Sequence, residues 1–169
     1  MGRPAAGKTT LASGIADRLA TEGCEVENLD GDDLREQLHP ELGFSREDRR
    51  VNNRRTAYIA KLLNRHDVVA VVGMITPFAA ARAQARETVE AEGEFVLVYA
   101  RCPPGVAEER DPKGLYAAAR NGEIERFTGI DHPFEEPADP DVVVDTAECS
   151  PAEGVDHVLD RLDDLGLLG

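Results

Sequence analysis

Gly2-Arg3-Pro4-Ala5-Ala6-Gly7-Lys8-Thr9 fits the pattern G-x-x-x-x-G-K-[ST], a phosphate-binding loop. Its glycines let the backbone curl until successive N–H groups face one anion-sized hollow. The positive end of the helix that follows adds to that hollow. Lys8 is placed to reach the β- and γ-phosphates of a nucleoside triphosphate, and the Thr9 hydroxyl to hold Mg²⁺. Gly2, Ala5, Ala6, Gly7, Lys8, Thr9 and Thr10 are therefore the expected nucleotide contacts. Downstream, Leu11, Ile15, Ala16 and Leu19 carry the apolar spacing of a helix packed on a sheet. A loop of this kind normally follows a buried central strand, yet only Met1 stands before Gly2. The expectation is a sheet whose first strand is missing, or whose place another segment fills.

A chain of 169 residues makes one domain with room for a real core. No apolar run approaches the length of a membrane span, and no signal peptide precedes the loop, so a cytoplasmic protein without a membrane partner is expected. Cys24, Cys102 and Cys149 are few and far apart, which suits reduced thiols. The four histidines are scattered and none is assigned to a metal. A net charge of −14 argues against a nucleic-acid partner, since polyanions repel one another. The bases are almost all arginine; the only lysines are Lys8, Lys61 and Lys113. Such a surface suits concentrated salt, where screening removes the self-repulsion. An acidic protein from a GC-rich genome would also favour Arg over Lys.

The remaining chain alternates strands with helices. Val26 to Asp30 reads as a strand delivering the cluster Asp30-Gly31-Asp32-Asp33 to the carboxyl edge of a sheet, where ligands of open α/β folds bind. A short helix follows through Leu38, with Asp33 as its expected cap. Ser45, with Asp48 three residues on, opens an arginine-rich helix to about Arg65. Residues 67–74 read as a buried parallel strand, and Pro77 as the start of a helix to about Glu92. Phe95 to Ala100 is a further strand and Pro103-Pro104 opens a short helix. Val142 to Asp145 is the last strand. Ser150 caps a final helix with Val155, Val158, Leu159, Leu162 and Leu165 on one face. The fold class implied is α/β, a three-layer P-loop arrangement with a parallel sheet covered on both faces. Residues 111–140, polar, strandless and rich in Gly and Pro, read as a lid.

Phosphoryl transfer needs charge neutralisation, a metal and a positioned acceptor. Thr9, with an acid from Asp30 or Asp32, provides the metal site, and Asp32 is the chosen carboxylate for the acceptor hydroxyl. Arg49, Asn52, Arg54 and Arg55 crowd one helix, either as an ion-paired face or as an anion site. Phe44 and Phe127 sit in polar loops, either as loop anchors or as flat rings for a purine.

Leu29-Asp30-Gly31-Asp32, Leu42-Gly43-Phe44-Ser45 with Asp48-Arg49 and Asn52-Asn53-Arg54-Arg55, Ile75-Thr76-Pro77-Phe78, and Asp111-Pro112-Lys113-Gly114-Leu115-Tyr116 through Phe127-Thr128-Gly129-Ile130-Asp131 closely resemble adenylylsulfate kinase. The resemblance covers nearly the whole chain in order. It implies transfer of the ATP γ-phosphate to the 3′-hydroxyl of adenylyl sulfate, with ATP as co-substrate and Mg²⁺ as cofactor, in sulfate assimilation. By the resemblance Asp32 is the acid at the acceptor hydroxyl; with the loop motif, the expected catalytic residues are Lys8 and Asp32 and the expected metal ligands Thr9 and Asp30. Phe44 and Phe127 would sandwich the substrate adenine, while Arg35, Arg49, Asn52, Ile75, Thr76 and Lys113 would line the rest of its site. A homodimer is a further expectation. The chain departs from the family where Arg3-Pro4-Ala5-Ala6 replaces a Ser- and Gly-rich loop and Ala79-Ala80-Ala81 replaces charges. Ala117, Ala118 and Glu125-Arg126 also replace typical lid residues. Another small-molecule kinase of this fold would keep the loop and lid without needing Phe44, Phe127, Asn52 and Lys113 together. An impaired nucleotide-binding module is the reading that the missing strand would favour.

Overall fold

The computed structural model of the protein describes residues 1–168. The elements run α1 Lys8–Thr21, β1 Val26–Asp30, α2 Gly31–Leu38, α3 Arg46–Asn64, β2 Val69–Gly73, α4 Ala79–Val89, β3 Val98–Arg101, α5 Pro104–Arg110, α6 Leu115–Arg120, β4 Val142–Asp145 and α7 Pro151–Asp164. β1 pairs in parallel with β2 from Val26↔Val69 to Asp30↔Gly73, and β3 with β4 from Val98↔Val142 to Arg101↔Asp145. The two pairs form separate two-stranded sheets. No segment among the described residues occupies the place between β2 and β3 as a strand. Only Met1 reaches it, its amine donating to Val98 O at 2.7 Å and its carbonyl accepting from Ala100 N at 2.9 Å.

Neighbouring residues of β2 point to opposite faces, and the two faces have different covers. On one, Val71 packs against a core of Leu11, Ile15 and Leu19 from α1, Val142 and Val144 from β4, and Val155, Val158 and Leu159 from α7. On the other, Ala70 meets Ala57 and Ala60 of α3 and Val89 of α4. Helices thus cover both faces. Gly2 lies so close to β3 that a Cβ there would sit 2.5 Å from Ala100 O, so the loop's first glycine is a requirement of packing.

Several boundaries differ from the sequence reading. Asp30, not Asp33, caps α2, its Oδ1 accepting from Asp32 N at 2.8 Å. Asp33 falls inside the first turn. α4 begins at Ala79 with Phe78 as its cap, after Thr76 at φ 41° and the two residues that follow have bent the chain. Leu165 lies beyond the end of α7 and is 41% exposed, because the helix stops at Asp164. Ser45 and Ser150 close capping boxes with Asp48 and Glu153, which fixes where α3 and α7 start.

Candidate active site

The carboxyl ends of β1, β2 and β4 and the phosphate loop open on one cavity of about 910 Å³. Gly7 takes φ 76° as the cap of α1, and Ala5 takes φ 57°, a left-handed conformation that disfavours any side chain. The loop is therefore curled, and the N-terminus of α1 points at the cavity. Pro4, Ala5, Gly7, Lys8, Thr9 and Thr10 line it. Ala6 is fully buried under the loop, and Gly2 lies behind against β3; neither faces the cavity.

Lys8 Nζ turns back to donate to Arg3 O at 2.6 Å. Burial pushes its ammonium down to about 8, against the opposing pull of Asp32 and Asp30. Thr9 Oγ1 donates to Asp30 Oδ2 at 2.9 Å. Two hard oxygen ligands side by side at a phosphate loop fit Mg²⁺, which prefers carboxylate, hydroxyl, phosphate and water oxygens. Asp32 is largely exposed and takes an ion pair from Lys113 Nζ at 2.5 Å. The lid lysine thus rests on the carboxylate chosen for the acceptor hydroxyl, and that contact raises the lysine's pKa.

The acceptor end is built by α3 and the loop before it. Arg35 Nη1 donates to Leu42 O and Gly43 O at 3.0 and 2.7 Å, and its guanidinium lies 4.7 Å from the Phe44 ring centre. Arg49 is buried, donating from Nε to Phe44 O at 3.1 Å and from Nη2 to Arg126 O at 3.0 Å, and also lies over Phe44. These two arginines hold the loop and the lid together and leave the Phe44 ring 51% exposed. Other arginines of α3 make ion pairs, Arg50 with Glu47 and Arg55 with Glu41. The helix is thus an ion-paired face on one side and part of the cavity on the other. Asn52 lines the cavity, 3% exposed, and its Oδ1 has no hydrogen-bond partner among the described residues. A buried carbonyl oxygen without a partner is costly, and a ligand donor would satisfy it. Ile75 and Thr76 complete this wall, with Thr76 Oγ1 on Asn53 Oδ1 at 3.2 Å.

Phe127 stands elsewhere. It is 7% exposed, packed edge-to-face on Tyr116 at 4.9 Å between ring centres, in a cluster with Ala6, Cys102 and Ala107. It does not line the cavity with Phe44. Tyr116 OH donates to Pro4 O at 3.2 Å, so this cluster seats the lid on the phosphate loop.

Four contributors went unassigned in the sequence. Arg110 donates from Nη2 to Thr146 O at 2.6 Å, and both residues line the cavity wall beside the phosphate loop. Arg82 is buried and donates to Thr76 O at 3.0 Å, holding the strained Thr76 in place. Asn53 supports Thr76 from the other side. Their only sequence signal was proximity to motif residues.

The family model described as adenylylsulphate kinase matches residues 1–145. An adenylyl-sulfate kinase of Synechococcus sp. (strain JA-3-3Ab) is 47% identical over 167 residues, covering 99% of this chain and 93% of that protein. A probable adenylyl-sulfate kinase of Pyrococcus abyssi is 46% identical over the same length, with 99% and 94% covered. The solved structure of the Mycobacterium tuberculosis APS kinase in complex with AMPPNP and APS superposes with a TM-score of 0.93 at 39% identity, covering 96% of this chain and 94% of that one. With the phosphate loop, the paired Thr9 and Asp30 and the lid lysine on Asp32 all opening on one cavity, the chain belongs to the adenylylsulphate kinase family.

Proposed function

We propose that the protein transfers the γ-phosphoryl group of ATP to the 3′-hydroxyl of adenylyl sulfate, giving 3′-phosphoadenylyl sulfate and ADP. The observation that carries this reading is the single cavity with Lys8, Thr9 and Asp30 at one end and Asp32, Asn52 and Phe44 at the other. ATP phosphates belong in the loop, where backbone N–H groups and Lys8 meet their charge. Thr9 and Asp30 would hold Mg²⁺, which when bound neutralises charge on the β- and γ-oxygens. Asp32 accepts the proton of the acceptor hydroxyl, or orients it, once Lys113 shifts towards the sulfated substrate's negative charge. Asn52 Oδ1 takes a donor from the substrate, and Phe44 offers a face to its adenine. Phe127 serves the second face only if the lid lifts it off Tyr116. In its present position it anchors the lid. The acidic, lysine-poor surface fits a protein adapted to concentrated salt, and the reaction suits the cytoplasm, where ATP is at hand.

The test is an ADP-release assay with adenylyl sulfate against a panel of nucleoside and sugar acceptors. Turnover only with adenylyl sulfate is expected. Turnover with another acceptor, or ATP binding without transfer, would overturn the assignment.

A further inference from the structure

Arg3 serves the phosphate loop with its backbone and the lid with its side chain. Its carbonyl accepts from Lys8 Nζ at 2.6 Å and from Ala6 N at 3.3 Å. The side chain does not line the cavity and is only 15% exposed. Its guanidinium lies 4.8 Å from the centre of the Phe134 ring, and Nη2 reaches Glu136 Oε1 at 3.5 Å. Gly129, at φ 96°, makes room for it, since a Cβ there would sit 3.1 Å from Arg3 Nη1. A cation over an aromatic face is drawn to the ring's negative surface, more strongly where water is excluded. The phosphate loop therefore grips the last part of the lid through one side chain.

That part of the lid continues to the acceptor wall. Glu135, next to Phe134, donates from its amide to Pro77 O at 2.9 Å, and its carboxylate accepts from Ala79 N at 2.7 Å. Pro77 follows Thr76, the strained residue at φ 41° in the cavity wall. Phe134 also stacks on Tyr99, a buried residue of β3 that gives the ring a fixed backing. Packed and hydrogen-bonded groups thus run without a break from Arg3 through Phe134 and Glu135 to Thr76. The Arg3 end of this route is incompletely satisfied. Nε is buried with no hydrogen-bond partner among the described residues, and the contact with exposed Glu136 is long. A triphosphate that draws Lys8 off Arg3 O frees the peptide to turn, and the guanidinium gains contacts by turning with it.

We propose that Arg3 is a positioning residue that couples nucleotide binding in the phosphate loop to the acceptor wall, acting through Phe134 and Glu135. The filled loop seats the guanidinium on Phe134, and Glu135 then holds Pro77 and the start of α4. Which acceptor gains from this rests on the kinase reading above, whereas the trigger is the phosphate loop alone.

The test is hydrogen exchange of the Glu135 and Ala79 amides in the full chain, with and without a saturating non-hydrolysable ATP analogue. The Leu97 amide, bonded to Asp141 just before β3, is the reference for any general slowing by the ligand. In the native protein the analogue should slow both amides by about fivefold or more beyond Leu97. Arg3→Met keeps an apolar stem without the charge and should lose that extra slowing. Arg3→Lys keeps a cation for the ring and should recover much of it. Phe134→Leu should match Arg3→Met, and the double variant should be no worse than either, because both act at one contact. The factor by which the analogue tightens adenylyl sulfate should fall towards one in Arg3→Met. A merely destabilised fold would speed all three amides alike and leave the extra slowing in place. Native amides that ignore the analogue, or extra slowing that persists in Arg3→Met, would overturn the proposal. Native protein that shows the extra slowing yet binds no adenylyl sulfate would overturn the function assigned above and leave the coupling route standing.

Discussion

Lys8 holds two roles that compete for one ammonium: its hydrogen bond to Arg3 O closes the phosphate loop on itself, and a triphosphate would pull it away. Burial has already lowered its pKa to about 8, and a bound polyanion would raise it again. Above pH 8 the free protein carries the neutral amine, so ATP binding must take up a proton. ATP affinity should therefore fall by up to about tenfold per pH unit above 8. Titration calorimetry in two buffers of different ionisation enthalpy would report that uptake; no proton uptake at pH 9 would mean that burial does not hold the Lys8 ammonium down in the free protein. Lys8→Ala should abolish transfer, as should chelation of the metal with EDTA. Asp32→Asn leaves the fold intact, since the side chain is exposed, and should lower kcat by about 10²–10⁴ with little change in ATP affinity.

At the scale of elements, the lid is tied to the core by Lys113 on Asp32, Tyr116 on Pro4 O and Arg49 on Arg126 O, and further along by Glu135 on Pro77 and Ala79 and Glu136 on Arg3. Phe44 is exposed on the cavity wall and Phe127 is buried in the cluster with Tyr116, so their removal should read differently. Phe44→Ala takes away an exposed ring above two guanidinium groups and should weaken acceptor binding by about tenfold to a hundredfold, the worth of one stacked base, with ATP unaffected. Phe127→Ala opens a hole beneath Tyr116 and the phosphate loop, and should lower stability by about 3–5 kcal/mol and disturb ATP as well. Equal and selective acceptor losses from both would restore the two-sided sandwich. The sequence made the helices and strands legible because period and caps are local: Ser45 and Ser150 start their helices where the capping pattern places them. It also revealed the central gap, because the phosphate loop fixes what should precede it. Phe127 was harder to read, since whether a loop aromatic faces a ligand or a core depends on Tyr116 and Ala6, distant in the chain. Arg82 and Arg110 were illegible for the same reason. The cap of α2 was misplaced by three residues because Asp30, Asp32 and Asp33 offer the same carboxylate, and only the backbone decides among them.

For the molecule as a whole, charge sets two opposing responses to salt. Most bases are already engaged; ion pairs such as Arg18 with Asp156, Arg65 with Glu92, Arg101 with Asp145 and Arg120 with Glu108 lie on the surface. Exposed pairs of this kind contribute about 0–1 kcal/mol each and weaken as salt screens them. Against them stand 33 acidic groups facing 19 basic ones, so many carboxylates have only like charges for neighbours. Their repulsion acts over the whole surface and favours the expanded chain at low ionic strength. Screening removes the repulsion and the attraction together. The repulsive excess is the larger because 33 acids outnumber 19 bases, so carboxylates would remain even if every base were paired. Melting temperature should therefore rise as KCl goes from dilute to molar, most steeply at low concentration, where the screening length changes fastest. Sodium sulfate, which also strengthens apolar burial, should raise it further than KCl at equal ionic strength. A melting temperature that stays flat or falls across the KCl range would mean the ion pairs outweigh the unpaired acids, and the salt-adapted reading would fail.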